Sequence, residues 1–187
     1  MTADPDDPDD KPSFLPADHL AAIGRIANAW AYLEFAIDNT TWQLAGVPDM
    51  VGACMTAQMF SIQPKMRALI SLAELRGISA ATLSRLRKFN GDRIGGLQEA
   101  RNRSVHDTRV MHTRTGKVTR LQVTAHGPLV FGFQFEPIAE LHKIRKRVEQ
   151  AVQEYLGLRD ELLAEFRALP EKSGRQLDNI RPGHGDS

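Results

Sequence analysis

Within seven consecutive residues, Arg101 to Asp107, the chain gathers a permanent cation, an amide and a titratable imidazole in the pattern Arg-Asn-x-x-x-His-Asp. An arginine grips a phosphate through two parallel N–H donors, and a histidine exchanges a proton near neutral pH. RNA carries its own nucleophile, the 2′-hydroxyl. Cutting its backbone needs a base for that proton, an acid for the leaving 5′-oxygen, and positive charge on the transition state. His106 is the candidate base, and also the candidate acid. Arg101 is the candidate for stabilising the developing charge, and Asn102 for orienting the imidazole or binding the phosphate. None of these roles calls for a metal. One histidine is few for two proton transfers, and a symmetric dimer would set two such sites side by side.

Spacing constrains how the set assembles. On an ideal helix Asn102 and His106 are four apart and share a face, as do Arg103 and Asp107. Arg101 and His106 are five apart, about 140° around the axis. They converge only if the long arginine side chain wraps or the helix loosens at its end. The same residue types also serve a purely structural role at a helix C-terminus. There Arg and His satisfy the dipole and the orphan carbonyls, with Asp107 as a salt-bridge partner. Further candidates to contact a substrate are Arg103, Asp107 and Arg109. Glu34, four residues after Trp30 among apolar neighbours, either orients the basic motif or caps the edge of the core.

Other constellations are weaker. Trp30 and Trp42 could stack on bases, but aromatics at helical core spacing belong more often to the core. His106, Asp107, His112 and His126 match no zinc spacing, so neither a metal nor another cofactor is expected. There is no Gly-x-Gly-x-x-Gly or Gly-Lys-Ser/Thr element to cradle a nucleotide. Cys54, the single cysteine, lies among Met and Ala and reads as a small core residue; His19 and His142 read as surface residues.

Charge is distributed unevenly around a net of +1. Residues 1–18 hold six acids and one base, whereas residues 85–120 hold ten Lys/Arg against Asp92, Glu99 and Asp107. A local excess of that size attracts polyanions, and its bland alternative is a solvated helix face. One cysteine fits a reducing cytosol, the acidic proline-rich start is unlike a signal peptide, and no apolar run approaches a bilayer span. A cytoplasmic protein without membrane attachment is expected.

The elements that must position the motif follow from periodicity. Residues 1–16 read as a disordered acidic tail, and Asp18 as the cap of a long first helix. Its stripe is Leu20, Ile23, Ile26, Trp30, Leu33, Ile37 and Leu44, and it ends at Gly46 ahead of Pro48. An apolar segment follows to Phe60, then a helix from near Pro64 to Gly77. A fourth, capped by Ser79, runs toward the motif past Gly91, Gly95 and Gly96, which weaken it or mark a kink. After His106 the period becomes two, giving an antiparallel meander over 108–135 with turns at Thr115-Gly116 and Gly127-Pro128. Pro137 opens a last long helix, and 170–187 reads as a second disordered tail. The expected fold is mainly α: an antiparallel helical bundle over 17–169 with a small antiparallel β meander inserted before the last long helix.

Arg101, Asn102 and His106 at the end of a bundle helix, with Ala29-Trp30-Ala31-Tyr32-Leu33-Glu34 near the start, resemble the HEPN (higher eukaryotes and prokaryotes nucleotide-binding) superfamily. The resemblance spans residues 18–168, with the inserted strands and the glycine-rich approach to the motif as departures. It implies a homodimeric, metal-independent endoribonuclease whose active site forms across the dimer interface, leaving a 2′,3′-cyclic phosphate. It also implies a role in stress response, in phage defence or as a toxin, with RNA and an antitoxin or regulatory protein as partners. The superfamily includes non-catalytic members that bind nucleic acid or protein, which is the alternative expectation.

Overall fold

The computed structural model describes residues 12–124 and 130–170. Residues 1–11 of the expected N-terminal tail, 171–187 of the expected C-terminal tail, the Gly127-Pro128 turn and His126 lie outside the described residues. The protein is mainly helical, with a small antiparallel sheet before the last long helix. In chain order the elements are β1 (Pro12–Ser13), α1 (Ala17–Ala45), α2 (Asp49–Thr56), α3 (Ile62–Leu75) and α4 (Ala80–Phe89), then a π turn (Asn90–Ile94), α5 (Gly95–His106), β2 (Arg109–His112), β3 (Val118–Thr124), β4 (Val130–Phe135) and α6 (Ile138–Ala168). Among the described residues no helix is long and apolar enough to cross a membrane.

The chain divides into two compact units, through both of which α1 and α6 run. Unit 1 holds the chain up to Tyr32 and residues Gly96–Val152; unit 2 holds Leu33–Gly95 and the chain from Gln153. In unit 2 the apolar stripe of α1 is fully buried at Leu33, Ile37 and Leu44. Arg76 closes this end of α1, donating from Nε to the Leu44 carbonyl at 2.8 Å and from Nη2 to that of Ala45 at 3.0 Å. Such donors satisfy carbonyls that a helix end leaves open. Gly46 follows with φ +70°, a left-handed backbone that ends the helix where expected.

The glycine-rich approach to the motif has a specific form. Ser79 caps α4, its Oγ accepting from Thr82 N at 3.3 Å. Leu86, Phe89 and Ile94 are all buried, although the last two are five residues apart. An α-helix would turn them about 140° apart. The π turn between them absorbs the extra residue, so both reach the same core. The glycines therefore mark a π bulge within the helical run.

Several expectations are corrected. Asp18 lies inside the first turn of α1, and Leu20, at 55% exposed, leaves the core stripe. His19 is buried, its Nδ1 3.1 Å from Asp18 Oδ1. Cys54 is exposed, together with Met50, Val51 and Met55, because α2 turns Gly52 and Thr56 toward the core instead. Gly52 is needed there: a Cβ would stand 2.2 Å from the Trp42 ring, whose Nε1 donates to Thr56 Oγ1 at 3.3 Å. The expected N-terminal tail contributes β1, which pairs antiparallel with β2 through Pro12–His112 and Ser13–Met111.

In unit 1 the meander β2-β3-β4 forms as expected, β1 adds a fourth strand beside β2, and Gly116 takes φ +64° in the β2–β3 turn. Its orientation was not legible from alternation. Val118 is buried, whereas Val123, Phe131, Phe133 and Phe135 are half or more exposed. The face that turns inward carries Arg109 and Arg120.

Candidate functional site

The motif occupies the last two turns of α5 and stays α-helical through His106. Helical rotation then decides where each side chain goes. Leu97 and Ser104 are buried and define the inner line of the helix. Arg101 lies about 40° from the Leu97 direction and His106 about 180° from it. Arg101 is accordingly half-buried, while Asn102 and His106 share the exposed side. The loosening that would bring Arg101 to His106 within one chain does not occur before the histidine. Arg101 Nη1 instead donates to Asn102 Oδ1 at 3.0 Å, and its Nε is buried with no hydrogen-bond partner among the described residues.

The other cations of the motif region are engaged. Arg103 pairs with Glu99 one turn earlier at 2.5 Å, not with Asp107. Asp107 accepts from Arg120 at 3.1 Å. Arg109, only 3% exposed, donates from Nε and Nη2 to Glu136 at 2.5 and 3.2 Å. Its remaining donors reach the carbonyls of Ser104, Asp107 and Arg103 at 2.9 to 3.2 Å. Arg103 and Ser104 lie in the final turn of α5 and Asp107 directly follows it, so Arg109 is a clamp on the C-terminal end of that helix. Glu136 explains a further oddity. Arg109 and Arg120 sit directly opposite each other across β2 and β3, an unfavourable pairing for like charges. The Glu136 carboxylate relieves it, reaching Arg109 and standing 3.4 Å from Arg120 Nε.

A cavity of about 450 Å³ opens beside this network, lined by residues of α5 (Glu99, Arg103), the sheet (Arg120, Gln134) and the start of α6 (Glu140, Ile144). Arg101, Asn102 and His106 do not line it. Its two arginines are held by Glu99 and by Asp107 with Glu136, which leaves little field for an anion.

The basic excess over 85–120 is largely neutralised by acids from outside that window. Arg85 pairs with Glu161, Arg87 with Glu74, and Arg93 with Glu154, in addition to the Glu136 contacts. Window counting cannot see partners that arrive from distant sequence. Glu34 belongs to unit 2, where it is half-buried one turn before Asp38. Burial, first, raises the Asp38 carboxyl above its ordinary range; Lys65, 2.5 Å away, opposes this, and Glu34 adds to it. Trp30 and Trp42 are both buried, so neither offers a face to a base. No group of His, Cys, Asp and Glu able to hold a metal occurs among the described residues.

Sequence reasoning missed Glu136, Arg120, Asp38 and Lys65. The available signal was that Arg109 and Arg120 alternate with the large apolar residues of the strands. That places them together on one face without saying which face turns inward.

Set against known protein families, curated proteins and solved structures, the chain matches none of them.

Proposed function

We propose that the chain is a metal-independent endoribonuclease of the HEPN kind, in which a homodimer completes each active site. One observation carries this reading. Arg101 keeps its charge free of any carboxylate among the described residues, whereas Arg103, Arg109 and Arg120 have each been given one. An arginine held only by a neutral amide retains N–H donors and a full charge for a phosphate. His106 and Asn102 stand together on the exposed side of the same helix end, open to a polymer. Because Arg101 and His106 diverge within one chain, the arginine of one copy would serve the histidine of its twin. His106 takes the 2′-hydroxyl proton as the 2′-oxygen bonds to phosphorus, and as imidazolium returns a proton to the 5′-oxygen as its bond to phosphorus breaks, while Arg101 with Asn102 holds the phosphate as negative charge builds on its oxygens.

RNA incubated with the purified protein in excess EDTA tests this. Cleavage is expected to persist, and His106→Ala and Arg101→Ala are each expected to cost at least about a hundred-fold while leaving the melting temperature unchanged. Loss of cleavage on chelation, or full activity in His106→Ala, contradicts the mechanism. A second reading, a non-catalytic binding or interaction module, is favoured by the ion pairs among the described residues, which engage at least six of the ten cations between 85 and 120. It predicts salt-sensitive association with RNA and no cleavage. Action as a toxin or in defence, under an antitoxin or regulator, belongs to the same proposal.

A further inference from the structure

β4 is the last strand of its sheet, and no strand neighbours its outer edge among the described residues. The phase of the hydrogen bonds shows which groups that edge presents. Glu136 N donates to the Val118 carbonyl at 3.1 Å, toward β3. On β3 itself, Leu121 N turns the other way and donates to the Thr108 carbonyl at 2.8 Å, directly before β2. Alternation along antiparallel strands then turns the backbone of Gly132 and Gln134 toward β3, and that of Phe131, Phe133 and Phe135 outward. Sheets guard such edges with charges, proline or a covering element. β4 reads Val-Phe-Gly-Phe-Gln-Phe, without charge or proline, and Phe131, Phe133, Gln134 and Phe135 are all exposed.

A row of outward N–H and C=O groups specifies an extended backbone as its occupant. The two faces of the strand specify the side chains. Positions opposite the phenylalanines lie on the apolar face, where Phe131, Phe133 and Phe135 are 70%, 50% and 61% exposed, and suit valine or isoleucine. A position opposite Gln134 lies on the face of its cross-strand partner Arg120, and both residues line the cavity of about 450 Å³. That lining sets Glu99, Glu136 and Glu140 against Arg103 and Arg120, one negative charge in excess. Among the described residues Glu99 and Glu140 pair with Arg103 and Lys143 of their own helices, in exposed pairs that water weakens. A lysine or arginine at that position meets charge of opposite sign.

The chain's own segments do not fit. β4 holds no Lys or Arg, so the β4 of a second copy leaves the cavity carboxylates unmet. In residues 171–187 the apolar Leu177 and Ile180 are three apart, which sets them on opposite sides of a strand. Residues 1–11 are acidic and enter the sheet at β1, its opposite edge. A nucleic acid stacked on the rings needs cations beside them, and the cross-strand partners Thr119, Leu121 and Val123 carry none.

We propose that β4 takes up an extended segment of a partner protein as an added antiparallel strand, with β-branched residues beside the phenylalanines and a lysine or arginine at the cavity. The inference goes beyond the cleavage reading and uses neither Arg101 nor His106, so its test is run without RNA cleavage.

The probe is a labelled peptide, Thr-Val-Lys-Val-Lys-Val-Thr, titrated into the full chain and followed by fluorescence anisotropy and amide exchange. Binding is expected to slow exchange at Phe131, Phe133 and Phe135, whereas Gly132 and Gln134 are already protected by β3. A peptide of the same composition without the alternation is expected to bind at least about tenfold more weakly, as is one with Glu for Lys. Phe133→Pro removes an outward N–H without touching the β3 ladder, and should weaken binding about tenfold or more with unchanged far-ultraviolet circular dichroism. Methylating the peptide amides that face β4 tests the same bonds with the protein unaltered, and is expected to abolish binding. Glu140→Gln should weaken the lysine peptide several-fold. Equal binding of the alternating and rearranged peptides, or no binding of either at millimolar concentration, overturns the proposal. Outward amides that already exchange slowly in the free protein overturn it too, giving the edge to this chain or its copy. Displacement of the peptide by poly(U) also overturns it, and assigns the face to RNA.

Discussion

At the scale of single residues, the protein spends its charges on itself. Glu136 holds two arginines that would otherwise repel across β2 and β3, and Arg109 in turn closes the end of the helix that carries the motif. Removing one partner from such a buried set strands the other charge, which costs more than the pair itself contributes. Glu136→Ala is therefore expected to lower unfolding free energy by about 3 kcal/mol, measured by urea denaturation. The Lys65–Asp38 pair yields a prediction with a pH signature. Both side chains are only 12–13% exposed, and burial already pushes the Asp38 carboxyl up. A carboxyl raised in the folded state contributes stability that is present below its unfolded value and lost as pH rises through the folded one. Lys65→Met removes the one effect that opposes the rise. It should cost about 2–3 kcal/mol at pH 7 and less at pH 4, because protonation of Asp38 is favoured as pH falls. Equal losses at both pH values would contradict this account of the pair.

At the scale of elements, periodicity was a good guide to which residues share a face and a poor guide to which face is buried. The α1 stripe was legible because Ile26, Trp30, Leu33, Ile37 and Leu44 repeat at helical spacing, and all are buried. The end of α1 at Gly46 and the cap at Ser79 were legible from local backbone chemistry. The meander strands were legible too. Alternation fixed Phe131, Phe133 and Phe135 to one side, yet that side faces solvent, since the opposite side carries the arginines that secure the helix end. Likewise α2 reads as apolar but buries Gly52 and Thr56, because what fits beneath the Trp42 ring is a small residue. In the candidate site, the rotation between Arg101 and His106 was legible. The ion pairs of Arg109 and Arg120 were not, because Glu136 arrives from a distant part of the chain. Glycine positions test the packing argument. Gly52→Ala gains up to about 1 kcal/mol of helix propensity but forces a methyl into Trp42, so a net loss of about 1–2 kcal/mol is expected. Gly24→Ala, also in a helix but with nothing near the new methyl, should stabilise by about 0.5–1 kcal/mol. Thermal denaturation of the two variants in parallel checks the contrast.

At the scale of the whole molecule, a single chain supplies halves. Its histidine and amide lie on the open side of α5, while its arginine, held only by the Asn102 amide among the described residues, lies near the inner side. A second copy would supply the arginine that each histidine lacks. The central claim is that the arginine of one chain works with the histidine of another. Arg101→Ala and His106→Ala chains, each inactive alone, can be co-expressed so that mixed dimers form. Half of the dimers would then be mixed, each with one intact pair, so the mixture should recover about a quarter of the wild-type RNA cleavage rate in EDTA. A mixture as inactive as either variant alone, under conditions where mixed dimers are shown to form, would contradict the account.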